Sequence, residues 1–221
     1  MDRLTETPSG KSLDGKDEER EEVRMKILLV GSGGHVGGVA RAELEKRGHD
    51  VIGATRSTDP GVDTSDADSI SKLLEAVGVV DAIVVAVGAA AFKPVTELTR
   101  EDYTEAFVSK TLGQIEFVTQ GLDHLSDGGS ITFVTGVLSR EPVPTASAAA
   151  MANGAVESFV VSAAPELPRG IRINAVSPNV LANSPHFHDA FAGMIPVTDE
   201  EVASAFVRSI EGNVTGRILT V

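Results

Sequence analysis

Lys26-Ile-Leu-Leu-Val-Gly-Ser-Gly-Gly-His-Val-Gly-Gly38 is the stretch that decides the fold, because a short apolar segment runs directly into a glycine loop and then a helix. Glycines let the backbone turn tightly and approach a phosphate, and the free N–H groups of the following helix stabilise its charge. The spacing Gly31-x-x-Gly34-x-x-Gly37 predicts a phosphate-binding turn, with an ordinary glycine-rich strand-to-helix turn as the alternative. The residues expected to hold the ligand are Gly31, Ser32, Gly33, Gly34, His35 and Val36.

The residues after the loop predict an amphipathic helix, since Val36, Val39, Ala40 and Leu44 share one face. Beyond it, strands and helices alternate, and this pattern is typical of a parallel sheet covered on both faces. The predicted strands are 26–30, 50–54, 80–86, 130–135, 171–176 and 216–220, and the predicted helices are 36–47, 66–77, 102–125, 146–164 and 199–210.

Length and charge restrict the class of protein. The 221 residues suit one α/β domain, and a net charge of −13 argues against nucleic acid or an anionic membrane as the main partner. There are no cysteines, so disulfides and thiolate metal sites are excluded. We therefore expect a single domain with a small-molecule substrate.

The first residues differ in composition from the rest of the chain. Residues 1–22 are rich in acidic side chains and lack the basic start and apolar stretch of a secretion signal. We expect residues 1–24 to form a disordered extension, because they offer too little apolar surface to offset the entropy of ordering, and residues 25–221 to form the domain. Since the longest apolar run, 82–92, is too short to span a bilayer, the expected location is the cytoplasm.

The end of the second predicted strand indicates which dinucleotide binds. An acidic residue there binds the ribose diol of NAD, whereas an arginine pairs with the 2′-phosphate of NADP. Arg56 and Ser57 occupy this place and favour NADP over the alternative, NAD, although a solvated surface arginine fits the same pattern. Asp63, followed by Thr64, is a candidate for binding the adenine amino group, or is a turn residue.

Taken together, several segments resemble the short-chain dehydrogenase/reductase family over residues 26–221. They are the glycine loop, Asp63, 128–134, 155–159 and, most specifically, Gly170-Ile-Arg-Ile-Asn-Ala-Val-Ser-Pro178. The resemblance implies a Rossmann-type, doubly wound parallel sheet of seven strands, bound NAD(P), and a homodimer or homotetramer packed through helices 102–125 and 146–164. It also places Ala86, Val87, Gly88 and Pro178 beside the cofactor.

The catalytic residues of that family are absent. Aligning Ala155-Val-Glu157 with the family segment puts Asn153 at the lysine position and Ala149 at the tyrosine position. The family serine falls on Gly136, next to Thr135, and the family asparagine falls on Lys110. A methyl group at residue 149 cannot transfer a proton.

Another set of side chains is therefore needed for proton transfer. Lys110 is a candidate to restore the positive charge missing at residue 153, with Thr135, Ser139 or Ser147 polarising a carbonyl; a buried cation paired with a carboxylate is the alternative. The predicted catalytic residues are Lys110, Thr135 and Asn153. Tyr103, about 10 Å from Lys110 along a helix axis, is expected in the core or at its rim.

One further segment is a candidate site. His186-x-His188 is a potential metal pair, but two histidines without a third ligand are more often loop surface, and no metal is predicted. Function has two interpretations: an NADP-dependent oxidoreductase acting on a small carbonyl or alcohol with a non-standard proton relay, or an inactive member that binds NADP(H) as a sensor. The second is favoured by the loss of the relay, and the first by analogy with the family.

Overall fold

The computed structural model describes residues 24–221, which form one parallel six-stranded sheet with helices on both faces. The strands are β1 (Lys26–Val30), β2 (Asp50–Ala54), β3 (Val80–Val85), β4 (Leu125–Val134), β5 (Arg172–Ser177) and β6 (Arg217–Thr220). The helices are α1 (His35–Lys46), α2 (Ala67–Val77), α3 (Arg100–Ala106), α4 (Gly113–Thr119), α5 (Ser147–Ala163) and α6 (Asp199–Ile210). The predicted extension, residues 1–24, lies outside the described residues except for Arg24.

The sheet order β2-β1-β3-β4-β5-β6 reverses direction between β1 and β3, as expected of a doubly wound fold. Alternate residues of β1 face opposite cores: Leu28 and Val30 pack with α2, α4 and α5, whereas Ile27 and Leu29 pack with α1 and α6. The crevice outside the carboxyl ends of the strands at such a reversal is the usual ligand position. The glycine loop follows β1 and therefore lies beside this crevice.

The prediction of seven strands is wrong for the described residues, which contain six. The expected additional strand would have to lie between β2 and α2, where only residues 55–66 are available. A parallel strand needs a crossover of a dozen or more residues, usually a helix, before it can pair. Here the segment instead turns back at once, and Val62 N–H donates to the Thr55 carbonyl at 2.9 Å.

The single helix predicted over 102–125 is also wrong. The structure has α3, a π-helical turn at Phe107–Leu112, then α4, and Leu125 already belongs to β4. Leu125 is buried as a strand residue, and an apolar residue at the end of a helical pattern does not distinguish the two conformations. The widened turn carries Lys110, and such turns are frequent at functional sites.

Within residues 24–221 no helix is both long enough and apolar enough to cross a membrane.

Candidate functional site

A cleft of about 710 Å³ lies at the carboxyl ends of β1, β2 and β3, between the glycine loop and residues 86–89. Its walls include ten of the fourteen residues predicted to bind the cofactor: Gly31, Ser32, Gly33, Gly34, Arg56, Ser57, Thr64, Ala86, Val87 and Gly88. His35, Val36, Asp63 and Pro178 do not line it, and Val36 and Pro178 line an adjoining cavity.

The glycine loop has the geometry of an anion cradle. Gly31 has φ +86°, and a Cβ there would lie 2.3 Å from the carbonyl oxygen of Ala86, so only glycine fits. Helix α1 begins after Gly34, with no side-chain cap and no acidic residue in its first turn. The N–H groups and positive dipole end of α1 are therefore not neutralised by a side chain, which fits a diphosphate.

His35 points away from the cleft. Its Nε2 lies 3.1 Å from Oδ1 of Asp199 in the first turn of α6, and the other oxygen of Asp199 accepts from Asn183 Nδ2 at 2.8 Å. The imidazole thus links the glycine loop to α6 and to the segment after β5. The structure places it in this contact and gives it no capping bond to α1.

Two arginines form a basic corner at the β2 end of the cleft. Arg56 is largely exposed, with its Nη2 3.8 Å from Asp63 Oδ1. Arg41 of α1 also lines the cleft, and it reaches across Gly53, where a Cβ would lie 3.2 Å from its Nη1. Sequence reasoning missed Arg41, although its position one helical turn beyond Gly37 would have suggested it.

Asp63 is engaged by its own turn. Its Oδ1 accepts the Ser65 hydroxyl at 2.7 Å and the Ser65 N–H at 3.0 Å. These bonds, with a smaller effect from Arg56, lower the pKa of the Asp63 carboxyl. This is the geometry of a turn residue, the alternative named for it above.

A second cavity, of about 270 Å³, adjoins the cleft and shares Gly88 and Ala89 with it. It brings together all three predicted catalytic residues, Lys110, Thr135 and Asn153, from the π-helical turn, the end of β4 and α5. Ala149 also lines it, so a methyl group stands at the position where the family tyrosine was aligned. The remaining walls are mainly apolar, with Phe92, Val137, Leu138, Val180, Phe187 and Phe191.

Lys110 is a cation with one long hydrogen bond among the described residues. Its Nζ donates to the carbonyl of Val134 at a long 3.4 Å, and Gln114 Nε2 donates to the same oxygen at 3.1 Å. Part of the side chain reaches the cavity, but its ammonium is desolvated among protein atoms, which lowers the pKa of Lys110 to about 8. The negative charge of Glu157 opposes this shift, and no carboxylate of residues 24–221 forms an ion pair with the ammonium.

Glu157 organises the end of β4. Its carboxylate accepts the hydroxyls of Thr135 at 2.8 Å, Ser139 at 2.8 Å and Ser177 at 2.9 Å, and pairs with Arg140 at 2.6 Å. A carboxylate only accepts, so the Thr135 proton is committed to it. Sequence reasoning did not select Glu157, although a glutamate among apolar residues of α5 is a signal of a buried charge.

Asn153 holds an unsatisfied acceptor. Its Nδ2 donates to the carbonyl of Gly136 at 3.4 Å, while its Oδ1 is buried without a partner among the described residues. The amide cannot be flipped to solve this, because the oxygen would then face the Gly136 carbonyl. A buried acceptor without a partner is costly, and a functional role is one reason for such a group to be kept.

Other candidates lie apart from this cavity. Tyr103 packs beside Ala106, Ala148 and Ala152, a rim position in a small apolar cluster. Ser139 and Ser147 do not line the cavity, and Ser139 is bound to Glu157. His188 Nε2 is 2.9 Å from the Leu181 carbonyl, His186 contacts Phe187, and residues 24–221 contain no group of three metal-ligating side chains.

Comparison with known proteins agrees with this architecture. Residues 6–210 match a family model described as Enoyl-(Acyl carrier protein) reductase. L-xylulose reductase from Homo sapiens is 28% identical over 177 residues, 72% of each chain. Hydroxynaphthalene reductase-like protein Arp2 from Metarhizium majus is also 28% identical, over 73% of this chain and 70% of its own length.

Solved structures extend the comparison to the fold. The protein lin1944 from Listeria innocua is 48% identical, with a TM-score of 0.86 over 89% of this chain and 99% of its own. A small-chain dehydrogenase in complex with NADPH is 27% identical, with a TM-score of 0.79 over 90% and 97%. From the family match, which spans most of the chain, and these similarities, the chain belongs to the short-chain dehydrogenase/reductase family.

Proposed function

We propose that this protein is an NADP-dependent oxidoreductase that reduces the carbonyl group of a small molecule, with Lys110 supplying the proton that a tyrosine supplies in the family. The observation that carries the proposal is the position of the Lys110 side chain. It lines a cavity that adjoins the dinucleotide cleft, and the pKa of its ammonium, about 8, suits a general acid near neutral pH.

Residues of the cleft support NADP as the cofactor. The diphosphate would lie against the glycine loop, and Arg41, Arg56 and Ser57 would surround the 2′-phosphate, because all of them line the β2 end of the cleft. A similar dehydrogenase has been solved with NADPH. Ala86, Val87, Gly88 and Pro178 would then flank the nicotinamide end.

The chemistry divides between the cofactor and the chain. When bound, the reduced nicotinamide supplies a hydride to the carbonyl carbon. Lys110 donates a proton to the carbonyl oxygen, and its amine then regains a proton from water. Thr135 does not supply this proton in the observed arrangement, because its hydroxyl donates to Glu157. Asn153 borders the same space, with its amide held by the Gly136 carbonyl.

A second function is favoured by one observation. Ala149 places a methyl group where the family tyrosine was aligned, so the protein would lack that acid altogether. A protein that binds NADP(H) as a sensor, without turnover, would show the same cleft. The two functions make different predictions for NADPH consumption.

The deciding experiment combines binding and turnover. NADPH and NADH are titrated by fluorescence, and NADPH consumption is then measured with a panel of aldehydes and ketones. We expect NADPH to bind more tightly and to be consumed, and Lys110→Met to retain binding while losing consumption. Tight binding with no consumption on any carbonyl supports the sensor, and consumption unchanged in Lys110→Met removes Lys110 from the mechanism.

We also propose a homodimer or homotetramer packed through the helices that carry Lys110 and Asn153. Apolar side chains on these helices are exposed in the single chain: Phe107, Leu112, Met151 and Val161. Contiguous exposed apolar surface is typical of protein interfaces. Sedimentation of the protein at micromolar concentration tests this, and a monomer at all concentrations contradicts it.

A further inference from the structure

The second cavity combines one desolvated cation with apolar walls. Phe92, Phe187 and Phe191 line it, and Phe92 and Phe187 are about half exposed. Of the residues between 24 and 221 that line it, Lys110 is the only charged one. The cavity is therefore suited to a ligand with an apolar body and a negatively charged end.

Among residues 24–221 the ammonium of Lys110 has no ion-pair partner. A buried ammonium is stable only when it is paired and hydrogen-bonded, yet this one has a single long bond to a neutral carbonyl. The nearest charge that acts on it, Glu157, is already bound to Arg140 and three hydroxyls. A counter-anion brought by the ligand would supply what the described part of the chain does not.

The number of free donors limits the shape of that anion. An ammonium has three N–H groups, and one of them points to Val134. The other two have no hydrogen-bond partner among residues 24–221, and two oxygens on adjacent carbon atoms of one ligand would satisfy both. A 2-oxo acid has this arrangement, with a carboxylate oxygen and a keto oxygen side by side.

We propose that the substrate is a 2-oxo acid with an apolar side chain, whose carboxylate and keto oxygens both bind Lys110. This inference rests on the proposed function and names its substrate class. In the reaction, the hydride electron pair forms a bond to the keto carbon, and the π pair moves to the keto oxygen, which takes the Lys110 proton. The keto acid becomes a 2-hydroxy acid, NADPH is oxidised to NADP⁺, and Lys110 regains its proton from water.

The test separates binding from turnover by using the complex with NADP⁺. Calorimetry compares benzoylformate with acetophenone, which has the same aromatic ketone without the carboxylate. We expect benzoylformate to bind at least about tenfold more tightly at pH 7, and Lys110→Met to abolish the difference. Lys46→Met, which removes an exposed lysine of α1 with a side chain 78% exposed, serves as the matched control and should keep the difference.

A second measurement needs no variant at the site. In the unaltered protein the affinity for benzoylformate should fall as the pH rises through about 8, while that for acetophenone stays constant, because only the protonated lysine attracts the anion. The other charged groups around this position, Glu157 and Arg140, are bound to each other.

The outcomes are distinct. Equal affinity for the two compounds, failure to bind either, or an affinity for benzoylformate that does not change with pH overturns the inference. Benzoylformate can also bind preferentially, through Lys110, without any consumption of NADPH. That result supports the anion site and contradicts the proposed oxidoreductase function.

Discussion

Gly88 and Lys110 lie in direct contact: a Cβ at Gly88 would be 2.4 Å from Cγ of Lys110 and 2.9 Å from its Cα. Gly88 follows β3 and has φ +121°, a conformation that favours glycine. The π-helical turn can approach the end of β3 only because no side chain separates them. The sequence predicted Gly88 as a cofactor neighbour, and the structure gives it a second role in seating Lys110.

Gly88→Ala should therefore displace Lys110 and reduce NADPH-dependent turnover. The loss of turnover should be larger than any loss of stability explains. Gly48→Ala is the control, because Gly48 has φ +86° and nothing within 4 Å of its Cβ position, so its cost is about 1 kcal/mol of backbone strain without a clash. Thermal melts and steady-state kinetics compare the two. Equal effects of both substitutions on turnover would contradict a seating role for Gly88.

Arg56→Ala should weaken NADPH binding about tenfold and leave NADH binding unchanged, because only NADPH carries the 2′-phosphate. Arg41→Ala should act in the same direction if both guanidinium groups reach that phosphate. Arg208→Ala, which removes an exposed arginine of α6, is the matched control for net charge. Equal losses of affinity for NADPH and NADH would mean that these side chains bind a part of the dinucleotide other than the 2′-phosphate.

Glu157→Gln should move the loss of carbonyl reduction to lower pH. Reduction needs protonated Lys110, so its rate falls as the pH rises through the pKa of about 8. The charge of Glu157 raises that pKa, and its removal therefore lowers it. The measurement is the pH profile of kcat, with Glu166→Gln, an exposed glutamate, as the control. An unmoved profile would limit Glu157 to a structural role.

Lys110→Met should stabilise the protein at pH 7. Burial lowers the pKa of Lys110 from 10.5 to about 8, so the unfolded chain binds more protons between these values. The free energy of unfolding of the unaltered protein therefore rises over this pH interval. Below pH 8 the full cost of burying the charged ammonium is present. We expect the variant to be about 1–2 kcal/mol more stable at pH 7, and the difference to shrink towards pH 10. Denaturant unfolding at both pH values measures it, and a variant less stable at pH 7 would contradict the desolvation of Lys110.

Most of the elements followed from local patterns. The glycine loop, the strands at 26–30 and 50–54 and the helix at 199–210 have the predicted bounds or differ by one residue, because each has its own periodicity and stop signal. The helix predicted over 102–125 was wrong because its apolar pattern continues into Leu125, which belongs to a strand. The seventh strand was wrong because residues 55–66 are too few to form the strand that the resemblance implied.

Most residues that line the cleft could be predicted because they are contiguous with secondary structure that positions them. Glu157 and Arg140 were missed because their roles depend on partners far along the chain, such as Ser177 for Arg140. Asp63 illustrates the same limit, since only its contacts with Ser65 reveal that its carboxylate is engaged.

The sequence by itself determined the parallel α/β fold and the phosphate loop, because alternating periodicities and glycine spacing are local properties of the chain. Only the tertiary structure decided that Lys110, Thr135 and Asn153 border one cavity, that the Thr135 hydroxyl donates to Glu157, and that no carboxylate of residues 24–221 forms an ion pair with Lys110. These are facts of burial and of contact between elements distant in sequence, and desolvation and hydrogen-bond pairing exist only once those elements have packed together.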